Sequence, residues 1–456
     1  MLHSRWLAAG ALLLLGTAAP AQTPSAAQAA HPGGEIQTRT LKNGLKVIVW
    51  PDHDIPNVAL YNWFHVGSRN EAPGITGLSH FFEHMMFNGA KKYGPGEFDR
   101  VLEAAGGSNN AFTSENVTVY QDWFPRTALA TVFDLEADRI GHLAIDPKIV
   151  ESERGVVYSE RRSGVDNDNT GLLLEQVQAT AYLAHPYQFP VVGWPSDIER
   201  WTQKDLERYF RTYYAPNNAT LILSGDLTPA EVFALAEKYL GPIPRQPAPE
   251  PVRTVEPPQL GERRLVVHKA AQSPLLQMAF HSLSGKDPDL EALQVLLSIL
   301  TDGDSSRLHR ALVEEARVAI QVRGLYDPGF DPSLTLLLVD LPPGGDLAKT
   351  ESLLSAQLAR VAKEGVTDAE LRKAKNIAVA DFWRSLETIN GRAAALGRAE
   401  VFQGDYRKLF DTPKRYEAVT REQVRKVAAR LFDPNNRTVG TLVPTDDTAT
   451  QQEAAR

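Results

Sequence analysis

The sequence predicts an α+β protein built as a tandem duplication of two homologous, α/β-sandwich-like domains. Three observations carry this. In the first half, strand-like and helix-like stretches are segregated more than alternated. Residues 244–259 hold prolines 244, 247, 249, 251, 257 and 258, so they fit neither a helix nor a central strand and read as an extended linker. One block recurs on both sides of that linker. Thr202-Gln203-Lys204-Asp205-Leu206 leads to Pro216-Asn217-Asn218, and Thr420-Arg421-Glu422-Gln423-Val424 leads to Pro434-Asn435-Asn436, with both anchors displaced by 218 residues.

The elements follow in order. Residues 45–50 and 57–64 alternate and are rich in β-branched and aromatic side chains, as strands separated by a turn containing Pro51 and Pro56. Pro73, Gly74 and Gly77 lead into a helix, and Gly94 to Gly96 separate it from a second helix over 98–105, which Gly106-Gly107 ends. Strands are expected over 110–113 and 117–120, and helices over 129–140 and 148–162. Each copy of the repeated block is a capped helix, a Pro-Asn-Asn turn and an exit strand. The boundaries expected are a catalytic domain over 35–243, the linker, a degenerate second domain over 260–445 and a tail over 446–456.

At 456 residues the chain is too long for one ordinary core. A hydrophobic content of 43% with 23% charged residues is that of a soluble protein. The net charge of −8, without a basic block, argues against nucleic acid. Cysteine is absent, so any metal must be held by histidine and carboxylate. Arg5, the apolar run 7–15 and Ala19-Pro20-Ala21 have the form of a signal peptide over 1–21. Residues 22–34 are then a disordered tether and the mature protein is periplasmic or secreted. No later stretch is long and apolar enough to span a membrane.

Gly77-Leu78-Ser79-His80-Phe81-Phe82-Glu83-His84-Met85-Met86-Phe87 carries the chemistry. His80 and His84 are four apart and share a helix face, so both imidazoles can ligate one tetrahedral metal, with zinc expected from the ligand type. Glu83 between them can take a proton from a metal-activated water without being a ligand, which is the inverzincin H-x-x-E-H arrangement. Five such residues also suit a half-buried helix with a polar edge. The surrounding Phe81, Phe82, Met85, Met86 and Phe87 weigh against that, because histidine and glutamate seldom enter a packed site without a partner. A hydrolytic zinc takes a third protein ligand. Residues 149–160 offer Glu153 and Glu160, seven apart on one face, with Val156 and Val157 between them suggesting a packed side; Glu151 fits a solvated pair with Arg154 better. The helix expected over 290–300 stands where the first half has its H-x-x-E-H helix, and it has no histidine.

With these motifs in place the sequence resembles the pitrilysin–insulinase (M16) metallopeptidases, in their short bacterial and mitochondrial-processing-type form. The resemblance covers nearly all of the mature chain and includes Val66-Gly67-Ser68-Arg69-Asn70-Glu71, the helix just described, Gly107-Ser108-Asn109-Asn110-Ala111-Phe112-Thr113, and 153–160. It implies a pair of LuxS/MPP-like metallohydrolase domains and a zinc endopeptidase with one Zn2+ per chain, acting on short or unfolded peptides inside a closing chamber. It selects Glu160 as the third ligand, about seventy-five residues past the second histidine, and makes Glu153 the acidic residue that steadies the site. It also implies that Asn110, Ala111 and Phe112 form a sheet edge that pairs with substrate backbone.

One departure stands out. Active members carry an Arg and a Tyr seven apart, shortly after a Ser-Arg-Leu stretch, which contact substrate beside the metal. Here Ser306-Arg307-Leu308 is present but the matching positions are Val313 and Ile320, and neither side chain can donate a hydrogen bond. A heterodimer is therefore expected, with an M16-like subunit supplying the Arg/Tyr pair, ahead of a homodimer. The competing reading is a non-catalytic scaffold or processing-complex subunit on the same fold, against which the intact His80, Glu83, His84 and Glu160 stand.

Overall fold

The computed structural model describes residues 34–445; the expected signal peptide, most of the tether and the tail lie outside the described residues. Among the described residues, no helix is long and apolar enough to cross a membrane. Two mixed sheets organise the chain. The first comprises β1 (Gln37–Thr40), β2 (Lys46–Pro51), β3 (Asn57–Phe64), β4 (Ser108–Thr113), β5 (Thr118–Pro125) and β6 (Ala219–Gly225), in the order β1-β2-β6-β3-β5-β4. The second comprises β7 (Arg263–Ala270), β8 (Leu275–His281), β9 (Gln321–Tyr326), β10 (Leu334–Asp340) and β11 (Arg437–Thr445), in the order β7-β11-β8-β10-β9. Leaving out β1, the orders correspond strand for strand. Each sheet has one parallel pair at the matching place, β2 with β6 and β7 with β11. The turn expected around Pro51 is shorter than the sequence suggests, because Pro51 closes β2, where its carbonyl accepts from Gly34 N at 2.8 Å. Residues 244–259 have no regular structure.

The central strands β2, β3 and β6 are buried along nearly their whole length because helices cover both faces of the sheet, whereas the edge strands β1 and β7 expose polar residues. Along β2, Val47 and Val49 enter one core and Ile48 and Trp50 the other, all fully buried. On one face of the first sheet lie the helix Leu78–Met85 and other helices of the first half. The opposite face is covered from the second half: helix Ile389–Gln403 packs its Ile389, Ala393 and Leu396 onto Ile48, Ala59, Trp63 and Ile222. The second sheet is treated likewise. Helix Asn169–Ala181 of the first half lays Leu173, Val177 and Ala181 on Ala279, Leu334 and Leu442. The two helices lie 220 residues apart at their starts, close to the repeat offset of 218 read from the sequence. The halves have thus exchanged equivalent helices, and each sheet owes one of its two faces to the other half.

The exchange requires close backbone approach. A Cβ on Gly397 would clash with the Trp63 ring at its Cε2, and one on Gly440 would clash with Val177 Cγ2. Buried polar contacts join the halves as well: Arg392 pairs with Asp52, and Asp331 is held by Arg69 and by His185 Nε2 at 3.2 Å. Gly397→Ala is expected to destabilise the whole chain by about 1–3 kcal/mol through overpacking, shifting the denaturant midpoint in a single transition followed by Trp fluorescence.

Candidate metal centre

The H-x-x-E-H helix is Leu78–Met85. Leu78, Phe81, Phe82 and Met85 are fully buried on one face, leaving His80, Glu83 and His84 half-buried on the other. Its N-cap is Gly77, whose φ of 88° is left-handed and whose missing side chain cannot cap the helix. Glu71 does so instead. Its carboxylate, 5% exposed, accepts from Gly77 N at 2.6 Å and from Ser79 N at 2.7 Å. Asp197 holds the approach to the helix, accepting from Gly74 N, Thr76 N and Thr76 Oγ1. Tyr120 donates to Phe82 O at 2.8 Å and Tyr214 to Ser79 O at 3.1 Å. The helix that presents both histidines is thereby fixed in rotation and in depth.

The carboxylates come from helix Pro147–Arg161, which begins at Asp146 with a side-chain cap and Pro147 in its first turn. Val150 and Val157 bury one face, while Val156, expected to be packed, is 43% exposed. The reason is helical angle: Val156 falls about 100° from Val157 and points to solvent. Glu151 is exposed and pairs with Arg154 at 3.5 Å. At the helix end, Arg161 grips Glu175 through two nitrogens at 2.6 and 2.9 Å and Gly193 O at 2.9 Å, which anchors the turn carrying Glu160.

The structure brings His80, His84 and Glu160 together. His80 Nε2 and His84 Nε2 are 3.3 Å apart, His84 Nε2 and Glu160 Oε2 3.3 Å, and His80 Nε2 and Glu160 Oε2 3.5 Å. Ligands bonded at about 2.0–2.1 Å to a tetrahedral ion lie about 3.3 Å from one another, so the three atoms occupy three corners of such a tetrahedron. Among the described residues, this is the group of three or more histidines and carboxylates so clustered. Glu153 Oε1 meets His84 Nδ1 at 2.8 Å, which sets the ring so that Nε2 faces the cluster. That hydrogen bond holds the Glu153 carboxyl below the usual range. On His84, burial disfavours the charge, but Glu153 and the Glu160 and Glu83 carboxylates together raise its pKa. His80 is lowered to about 4, by burial first and then by His84. Two imidazole nitrogens and one carboxylate oxygen suit a zinc ion, and also manganese or cobalt.

Glu83 stands beside this triangle. Burial raises its carboxyl above the ordinary value, opposed by a hydrogen bond with Thr113 and by the nearby His84. Thr113 ends β4, the outermost strand of its sheet, which carries Asn110, Ala111 and Phe112. A cavity of about 480 Å³ opens there, lined by His80, Glu83, Ala111, Phe112 and Thr113. Val313 packs against the second half's core and Ile320 is 59% exposed just ahead of β9. Sequence reading missed the roles of Glu71 and Thr113. An acidic residue six positions ahead of an uncapped helix start was the available signal for Glu71; for Thr113, nothing local in the sequence linked it to Glu83.

The model of the insulinase family of peptidases, M16, matches residues 46–193, and the model described as the M16 peptidase inactive domain matches 200–378. The chain belongs to the M16 family. It is 32% identical to the zinc protease PqqE of Helicobacter pylori over 413 residues, 89% of this chain and 92% of that protein. It is 25% identical to YmxG, named an uncharacterized zinc protease, of Bacillus subtilis, over 87% of this chain and 96% of that one. A crystal structure of a Helicobacter pylori protease superposes with a TM-score of 0.87 at 31% identity, covering 90% of this chain and 99% of that one. The names of PqqE and YmxG as zinc proteases support a protease function and a zinc cofactor.

Glu71 makes the helix support testable. Burial pushes its carboxyl from 4.5 up to about 8, against the pull of the two N–H donors. Between those values the unfolded chain ionises while the folded chain keeps the proton, so this residue makes stability fall as pH rises from about 4.5 to 8. Glu71→Gln removes that fall. It also leaves one helix N–H without an acceptor, costing about 1–3 kcal/mol; urea midpoints across the pH range check both.

Proposed function

We propose that the chain is a zinc-dependent endopeptidase for short or unfolded peptides, with His80, His84 and Glu160 as metal ligands and Glu83 as the general base. The observation that carries this reading is the triangle of three donor atoms at tetrahedral spacing with an unligated carboxylate at its side. When bound there, zinc would supply Lewis acidity to a water and to the scissile carbonyl.

The chain's own residues account for the rest. Glu153 fixes the tautomer of His84, keeping its Nε2 free of a proton for the metal. Glu83 accepts the proton of the attacking water and returns it to the leaving amine. Its raised pKa brings it nearer neutrality than an ordinary carboxylate, which suits a group that must both take and give a proton. Asn110, Ala111 and Phe112 offer open backbone groups on β4, so an extended peptide can add as a further strand. Such pairing gives affinity without requiring one sequence, and it brings the scissile bond past Thr113 and Glu83.

The oxyanion formed by attack needs a donor that Val313 and Ile320 cannot give. We assign that donor to a second, M16-like subunit bearing the Arg/Tyr pair, in a heterodimer exported with this chain to the periplasm. Glu83→Gln is expected to keep stoichiometric zinc by elemental analysis while peptide turnover falls about 10²–10⁴-fold; wild-type turnover by that zinc-loaded variant would remove Glu83 from its role. Purified alone, the chain should hydrolyse quenched fluorescent peptides at least about 100-fold more slowly than the complex recovered from its native source, the loss associated with one oxyanion donor. Full activity of the lone chain would rule out the partner.

A further inference from the structure

The three most exposed large apolar side chains among the described residues are Leu260, Val255 and Leu183, at 90%, 80% and 70%. They meet in one place. Leu183 follows helix Asn169–Ala181, and Val255 and Leu260 stand on the segment that joins the halves. Glu256 closes the gap between them. Its carboxylate accepts from Leu183 N at 2.7 Å and from Ala184 N and His185 N at 2.9 Å. Arg263 returns the chain to the same helix end, donating to Thr180 O at 3.1 Å and to Ala181 O. Gln259 Nε2 donates to Arg437 O at 2.8 Å. The three apolar side chains are thus carried on a backbone that is clasped from both sides.

The segment has a repeat of its own. Gln246, Pro249 and Val252 are half-buried, and after a step of four so are Glu256 and Gln259, while every residue between them is exposed. Three residues per turn is the repeat of a polyproline II helix, to which prolines 244, 247, 249, 251, 257 and 258 commit the chain. One face lies on the body and two point outward. Val255 and Pro258 are three apart on one outward face, and Pro257 and Leu260 on the other. No backbone N–H or carbonyl of residues 247–258 hydrogen-bonds to another described residue, so the carbonyls remain open acceptors. The exposed apolar area is on the order of 450 Å², enough to mark an interaction site but about half of what each partner buries in a stable interface. That is too little for a second copy of the chain. An anionic lipid surface would need free cations, but Arg253 is spent on Glu250 at 2.8 Å and Arg263 on the helix carbonyls. The remaining complement is a shallow groove of aromatic rings, which seats proline and aliphatic side chains while its N–H and O–H groups reach the open carbonyls. We propose that residues 247–260, with Leu183, form a docking strip for a second protein that reads polyproline II through such a groove. The strip takes no residue from the metal centre, so docking and metal chemistry are separable.

The test places photoreactive benzoylphenylalanine at Leu183, Val255 or Leu260 of the full-length chain in its native source, with Ile55, exposed in the turn between β2 and β3, as the control position. After irradiation, mass spectrometry identifies what is linked and at which residue. All three positions should link to one and the same protein, in a peptide that carries tryptophan or tyrosine, with at least about 10-fold less product at Ile55. With that protein purified, Leu260→Asp should weaken binding about 10-fold. The double change Pro257→Gly and Pro258→Gly keeps Val255 and Leu260 but loosens the backbone, and should weaken binding about 3-fold. Unchanged thermal melting of both variants confirms that they fold, since all three positions are exposed. Linkage to a second copy of the chain gives the patch to self-association, and linkage to lipid gives it to a membrane; either overturns the proposal. So do different proteins at the three positions, a linked surface without aromatic residues, no product at any position, or an affinity indifferent to the glycine pair.

Discussion

Everything at the centre depends on holding three donor atoms at about one tetrahedral edge from each other when they belong to two separate helices. His80 and His84 come as a unit, because four residues of helix fix their spacing. Glu160 does not, and an error of one turn in the second helix would carry it about 5 Å away. The structure controls that error from both sides. Glu71, Asp197, Tyr120 and Tyr214 fix the first helix by its backbone. The cap at Asp146 and the grip of Arg161 on Glu175 fix the ends of the second. The hydrogen bond from His84 to Glu153 ties the two together one side chain away from the metal position.

What was legible in the sequence follows the range of the forces involved. The H-x-x-E-H spacing, the strands and the capped repeat helices are local, and periodicity exposes them. The duplication was legible because an offset survives even when side chains have diverged, and the matched strand orders of the two sheets bear it out. Glu160 was reached through family resemblance, since nothing in the helix itself separates it from Glu153. Val156 differs from the sequence expectation because neighbours on a helix point about 100° apart, so its adjacency to the buried Val157 does not give it a shared face. The helix exchange was not legible at all. Both exchanged helices have apolar faces that would suit either sheet, and only three-dimensional packing assigns each to the opposite half.

That exchange has a consequence for how the two halves divide their work. The second half has no histidine on its corresponding helix, Leu290–Thr301, and so cannot ligate the metal. It remains indispensable to the first sheet, whose outer face it covers through Ile389, Ala393 and Leu396. Loss of metal ligands from one copy of a duplicated fold is therefore compatible with retention of that copy, because its packing surface is part of the core of the half that bears the histidine and carboxylate cluster.

The same exchange fixes the space between the sheets. Helix Asn169–Ala181 leaves the end of the metal-bearing region, tied there by Glu175 to Arg161, and then lies on the second sheet. Gln178 sits on this helix between the cavity at the metal centre and a second cavity, walled by Tyr182, Tyr187 and Tyr326 where the halves meet. One rigid element thus sets the distance between the two cavities. A clamshell that merely hinged its halves together would let that distance drift as it opened. Here the spacing between the two cavities belongs to a single helix buried against the opposite sheet, so it is set by core packing and not by a hinge.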